Sequence, residues 1–200
     1  TFVAKMVSGR RVKVEAKRFC SIVDDEVGAI RYAITPLDFS GTLTVEPVVD
    51  ADVINEDSNY DEKFWVEVEK KVKRRSAYVT AETKKTQFHV CTGMKFNIFQ
   101  DGEEVEFNSY RNERVKFASC TVDLECKEGQ ETVVYKYAAN LSSMNHAKED
   151  LMRNCKKVVK RAFDKGFDKL LEEQAKAWAS KWEEADIVIE GDVAAQQWAG

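Results

Sequence analysis

The densest group of side chains able to do chemistry is the acidic stretch Asp50-Ala-Asp-Val-Ile-Asn-Glu-Asp-Ser-Asn-Tyr-Asp-Glu62. Calcium takes roughly six or more oxygen ligands, and Asp50-x-Asp52 begins as such a loop does. Ile54 then falls where a third ligand belongs, and no glycine supplies the sharp turn. The composition suits an irregular loop held by Asx turns better than an ion site. The other reading is a contact surface, because Asn59, Tyr60 and Trp65 offer hydrogen bonds and an aromatic face. The chain's 35 Asp and Glu residues include no pair in an apolar frame that would raise one pKa. Glu172-Glu173 and Glu183-Glu184 are direct neighbours, which point apart on a helix. The two histidines, His89 inside a strand pattern and His146 in the first turn of a helix pattern, stand far apart without a second ligand, so metal is not expected. No cysteine has an evident histidine partner, and a nucleophilic thiol is not expected either. Lys156-Lys157 and Lys160-Arg161 interleave with an apolar stripe at helical period and read as a solvated face. Lys71, Lys73, Arg74, Arg75, Lys84 and Lys85 form a second basic patch with no functional reading.

These residues need a frame, and the chain divides into two patterns. Residues 1–140 read as about nine short strands at roughly 8–12-residue spacing, the signature of an antiparallel β-sandwich. Phe2–Val7 and Val12–Ala16 flank Ser8-Gly9-Arg10-Arg11, and Asp101-Gly102 is a further hairpin signal. Pro36 closes the Ala29–Thr35 run because it cannot donate to a ladder. Alternation such as Phe88, Val90, Thr92, Met94 and Phe96 suggests sheets wet on one side. Nothing shows the βαβ alternation that a parallel sheet needs. From 141 to 200 the period becomes helical. Ser142 or Ser143 is the expected N-cap, and Leu151, Cys155, Val158, Val159, Ala162 and Phe163 form one stripe. Gly166 fits the residue after a helix end, and a second helix follows.

On that second helix Leu170, Leu171, Gln174, Trp178 and Trp182 share a face, while Lys169, Glu172, Glu173, Lys176 and Glu183 stay in water. Two indoles one turn apart, each able to bury roughly 200 Å², require a covering surface. Ile187-Val-Ile then reads as a short extended piece that ends in a turn at Gly191-Asp192.

The composition is that of an ordinary globular chain, with 44% hydrophobic and 33% charged residues in 200. A formal charge of −4 argues against a nucleic-acid partner. No apolar run approaches the roughly 20 residues that cross a bilayer, so no membrane partner is expected. The five cysteines are odd in number and scattered, which favours reduced thiols and a cytoplasmic setting. The chain opens mid-pattern at Thr1-Phe2-Val3, so residues ahead of it are expected.

The run Ala177-Trp-Ala-Ser-Lys-Trp-Glu-Glu-Ala-Asp-Ile-Val-Ile-Glu-Gly-Asp192, with Ala195-Gln196-Gln197 after it, resembles the linker of glycoside hydrolase family 65, the inverting disaccharide phosphorylases. Arg18–Ser21, Ala29–Tyr32, Thr35–Phe39 and the stretch from Val49 to Asn55 look like the family's N-terminal strand signatures, and the loop from Asn55 to Trp65 is most similar to maltose phosphorylases. Asp50-Ala51 departs from the family's usual Asp-Gly. The resemblance implies a galactose-mutarotase-like super-sandwich over 1–140, then two linker helices over 141–200 leading to an (α/α)6 barrel. It implies that the complete enzyme, a glycosyltransferase-type phosphorylase, converts maltose and inorganic phosphate to glucose and β-glucose 1-phosphate without cofactor or metal. A carboxylic acid protonates the leaving oxygen there while phosphate attacks from the opposite face. That machinery belongs to the barrel, so no catalytic residue is carried onto this chain, which alone is expected to be inactive. Trp178 and Trp182 become interdomain packing residues, and Asn59, Tyr60 and Trp65 a rim of the active site or of a homodimer contact. The alternatives are a free-standing carbohydrate-binding module, or the same domain of a kojibiose, trehalose or nigerose phosphorylase or of a hydrolase.

Overall fold

The computed structural model describes residues 1–54, 56 and 62–199. Its larger sheet is built from β1 (Phe2–Lys5), β2 (Arg11–Cys20), β3 (Val27–Pro36), β6 (Trp65–Lys73), β7 (Ser76–Thr83), β8 (His89–Gln100), β9 (Glu103–Glu104) and β12 (Thr132–Ser142). Their order is β1-β2-β3-β12-β8-β7-β6, with β9 added beside β8. The smaller sheet holds β4 (Gly41–Val45), β5 (Val48–Asp50), β10 (Tyr110–Arg114) and β11 (Phe117–Cys126), with β10 and β4 on either side of β11 and β5 pairing β11 as well. Every described pairing is antiparallel.

The turns follow from local chemistry. The Asp101-Gly102 pair links β8 to β9 with both residues at positive φ (49° and 87°), the conformation a two-residue hairpin demands. Gly9 at φ 86° does the same service between β1 and β2.

The two faces of the large sheet bury different things. One meets the small sheet through Met94, Phe96 and Ile98 of β8, Val79 of β7 and Ala118, Cys120 and Val122 of β11. Phe107 extends this core by stacking on Phe96, with centroids 5.4 Å apart. The other face is covered by two helices, α1 (Leu151–Lys165) and α2 (Phe167–Ala185), through Leu151, Cys155, Val158, Val159, Ala162, Phe167 and Leu170. The expectation of a sheet wet on one side is therefore corrected for its centre: Cys91 and Gly93 of β8 lie under α1. A Cβ on Gly93 would stand 2.5 Å from the Tyr78 ring and 2.6 Å from Cys155 Sγ, so glycine sets how closely α1 approaches.

Both helices carry the expected apolar stripes, and Gly166 between them sits at φ 83°. The expected caps do not form. Strand β12 continues through Ser142, a 3-10 turn spans Lys148–Asp150, and α1 begins at Leu151 after Asp150. Ser143 Oγ instead accepts the His89 amide at 3.0 Å, and Ser142 Oγ accepts that of Met144. Ile187–Ile189 joins no ladder; the chain runs on into a short helix, α3 (Val193–Ala199).

Candidate functional site

The arm begins as a packed element and ends as a bare one. Phe167 and Leu170 enter the core, and Phe167 meets the rings of Phe19 and Tyr135 at 5.6 and 5.7 Å. Gln174 is the last buried residue of the arm, 9% exposed. It acts as a two-pronged peg: Ile22 N–H donates to its Oε1 at 2.8 Å and its Nε2 donates to the Cys20 carbonyl at 3.1 Å. An amide among apolar neighbours on a helix face is how a loop's unpaired backbone is satisfied.

From Gln174 the helix continues for about 12 Å to Trp182. Trp178 and Trp182 are 43% and 56% exposed, and their rings stack on one another with centroids 6.4 Å apart and planes 29° askew. Each indole shelters part of its partner, and their outer surfaces face solvent. Ile187, Val188, Val193 and Trp198 continue this exposed apolar series. The tail has its own order: Gln196 donates to the Ile187 carbonyl and accepts from Ile189 N, while Asp192 caps α3 through Ala195 N.

Of the residues expected to form a rim, Asn59 and Tyr60 lie outside the described residues. Trp65 opens β6, half-buried, over a cavity of about 150 Å³ lined also by Asp50, Ala51, Val53, Val79 and Thr92. Of the acidic stretch, Asp52 is held by two lysines. Asp52 bonds Lys116 Nζ and Lys63 Nζ, each at 2.6 Å, and its amide donates to Asp50 Oδ1 in an Asx turn. Those hydrogen bonds from Lys116 and Lys63 hold the Asp52 carboxyl down at about 2. Lys116 also donates to the Trp65 carbonyl at 3.2 Å. Ala51, where the resembled pattern has glycine, adopts no positive φ and donates to the Lys116 carbonyl, so the substitution carries no strain.

The remaining candidates are each tied to a structural partner. His89 Nε2 pairs with Glu82 at 3.0 Å, and His146 Nε2 with Glu26 at 2.6 Å. His146 lies in the turn that precedes the 3-10 segment, which corrects its placement in the first turn of a helix. Cys91, Cys120, Cys126 and Cys155 are buried and Cys20 is exposed, all five as free thiols. Burial pushes the Cys120 thiol up to about 11. The two basic stretches, read separately in the sequence, meet: Lys73, Arg74 and Arg75 line one cleft with Lys95, Lys156 and Lys160. Carboxylates answer much of that charge, Glu106 for Arg74, Glu104 and Glu106 for Arg75, and Asp164 for Lys160. Among the described residues no group of three or more His, Cys, Asp or Glu side chains is arranged to hold a metal ion. No described helix is long and apolar enough to cross a membrane.

Two antiparallel sheets backed by a helical pair, the second helix leaving two indoles exposed beyond Gln174, define a β-sandwich domain followed by helices. Comparison with known proteins gives that class a family. The chain belongs to the glycosyl hydrolase family 65 N-terminal domains, whose family model matches residues 1–181. It is 26% identical over 191 residues to the maltose phosphorylase of Bacillus subtilis (strain 168), covering 96% of this chain and 25% of that protein. It is 31% identical over 202 residues to the kojibiose phosphorylase of Caldanaerobacter subterraneus subsp. tengcongensis, covering 95% and 26%. An alpha,alpha-trehalose phosphorylase of Thermoanaerobacter brockii is 26% identical over 198 residues. The chain thus spans about a quarter of the length of the curated relatives it matches. A solved structure described as a kojibiose phosphorylase from human microbiome superposes with a TM-score of 0.79 over 94% of this chain and 24% of that one. At 18% identity it speaks for the fold alone.

Proposed function

We propose that this chain is the non-catalytic N-terminal domain of an inverting disaccharide phosphorylase, of which maltose is the substrate and phosphate the co-substrate, yielding glucose and β-glucose 1-phosphate. The reading is supported above all by the exposed Trp178–Trp182 pair on an arm that leaves the sandwich, in a chain matching about a quarter of each relative. In this reading the indoles and the apolar tail after them pack on the protein's own (α/α)6 barrel. An exposed apolar series of this kind marks an interaction surface. The domain then shapes the rim of the active site near Trp65 and contributes to a cytoplasmic homodimer. It supplies no cofactor or metal site, and the general acid and phosphate ligands come from the barrel.

The test is an assay of this chain and of the longer protein containing it, each with maltose and phosphate, then with kojibiose and trehalose. The longer protein is expected to release β-glucose 1-phosphate from maltose, and this chain alone to release none. Turnover by the 200-residue chain would overturn the division of labour. Turnover of kojibiose or trehalose but not maltose would overturn the choice of substrate.

A further inference from the structure

A second concave surface lies on the helix-covered face of the large sheet, away from the indole pair and from Trp65. Where β3, β12 and β8 run side by side, Arg31, Tyr135 and Asn97 stand in one cross-strand row. Phe99 follows two residues after Asn97 on the same face of β8. With Glu131, and with Phe167 and Asp168 at the start of α2, these residues line a cleft of about 360 Å³. That lies within the size range of small-molecule sites.

The lining has two characters. Phe99 meets Tyr135 edge-on with centroids 5.5 Å apart, and Tyr135 meets Phe167 tilted at 45°, so ring faces set at different angles cup the space. Around them stand planar polar groups. Arg31 donates to Glu131 at 3.3 Å, and Asp168 is exposed on the opposite wall. Asn97 keeps its Oδ1 buried with no hydrogen-bond partner, one of few such atoms among the described residues. A buried acceptor without a donor is uncommon and unfavourable. Its terminal torsion is soft, so a turn of the amide presents it to the cleft.

We propose that this cleft binds a neutral mono- or disaccharide. The chemistry of the walls selects that class. An apolar ligand would leave Asn97 Oδ1 unanswered, and a cation would meet Arg31. An anion would face both Glu131 and Asp168. A sugar lays its C–H face on the rings, while each hydroxyl both donates and accepts, matching one guanidinium donor to amide and carboxylate acceptors. The site itself stands on the cleft alone; only the preference for glucose-built ligands rests on the proposed phosphorylase reading.

The test uses this chain, whose two cores both close within it. Maltose and glucose are titrated separately while backbone and side-chain amide resonances are followed by NMR. Saturable shifts are expected at the Asn97 side-chain amide, Phe99, Gly102 and Gly166, with a dissociation constant on the order of 1 mM. Asn97→Ala and Glu131→Gln should each weaken binding about tenfold or more with an unchanged melting temperature, since a site built to pair hydroxyls loses most when one partner goes. Trp178→Ala should bind as the wild type does. Absence of saturable shifts with both sugars overturns the proposal, and so do shifts centred on Trp178 and Trp182. Loss of phosphorolysis by the longer protein, with these shifts intact, would count against the proposed function and not against this subsite.

Discussion

Replacing Gly93 with alanine adds one methyl group at the tightest contact between sheet and helix. The new Cβ would stand 2.5 Å from Tyr78 Cδ1, 2.8 Å from Tyr78 Cε1 and 2.6 Å from Cys155 Sγ. All are closer than packed atoms tolerate. Tyr78 and Cys155 are 5% and 0% exposed, so neither has room to yield. Overpacking of this kind costs about 1–3 kcal/mol. Alanine's smaller unfolded-state entropy offsets about 0.4–1 kcal/mol. The net expectation is a loss of about 1–2 kcal/mol, or about 2–8 °C in melting temperature for a chain of this size. Calorimetric melting measures it. Gly28→Ala is the internal control, because its Cβ would meet only the Phe19 carbonyl at an ordinary 3.5 Å. That variant should lie within about 0.5 kcal/mol of the parent. Gly93→Ala should also couple to Cys155→Ala in a double-mutant cycle, since the smaller side chain relieves one of the clashes. A Gly93→Ala variant that melts with the wild type, or a Gly28→Ala variant that loses as much, would refute the claim that Gly93 sets the helix-to-sheet distance.

The same helix face should respond differently along its length. Leu170→Ala, at 2% exposure, should cost about 2–5 kcal/mol, whereas Trp178→Ala and Trp182→Ala should move this chain's melting temperature by about 1–2 °C at most. Gln174→Ala should cost about 1–3 kcal/mol by leaving the Ile22 amide and Cys20 carbonyl unpaired, and hydrogen exchange at Ile22 should accelerate. Asp52 should titrate by carboxyl NMR near pH 2. Its folded pKa lies below the unfolded value of about 3.9, so its contribution to stability is fully present above about pH 4 and fades as pH falls through about 2. Lys116→Met should raise that midpoint, and an unmoved midpoint would remove Lys116 as its cause. Of the five thiols, Cys20 alone should react with Ellman's reagent in the folded chain, and all five after denaturation.

The residues that were legible in the sequence are those whose local chemistry and tertiary role coincide. Asp101-Gly102 can make little but a hairpin, Gly166 must take positive φ between two helices, and the α1 stripe is periodic and buried. Strand β6, WVEVEKKVK, mixes alternation with charge, as an edge strand exposed to water does, so the hydrophobic pattern does not report it. Strand β10, YRNER, is exposed throughout and is held by pairing to β11 and by Lys70 of β6, which donates to the Arg114 carbonyl, and no hydrophobic pattern reports either. The wet-face reading of β8 failed because Cys91 and Gly93 are small, and a small surface under a helix resembles a weakly polar one. Expecting a cap at Ser142 or Ser143 followed from residue type, but β12 extends that far and the hydroxyls serve turns instead. The meeting of two basic stretches, one at the β6–β7 turn and the other on α1, depends on topology, and so does the Gln174 peg, whose partners lie more than 150 residues away. For the cleft at Asn97, the one available signal was a polar residue between Lys95 and Phe99 on a strand face that also buries Cys91.

The proposed function requires that the Trp178–Trp182 pair be covered by another part of a longer protein. Acrylamide quenching of the difference emission between protein with and without Trp178→Phe and Trp182→Phe measures this directly, because the difference isolates these two indoles from every other tryptophan. In this chain their emission should be readily quenched, and in the longer protein it should be blue-shifted and several-fold less accessible. Equal quenching in both would contradict the account.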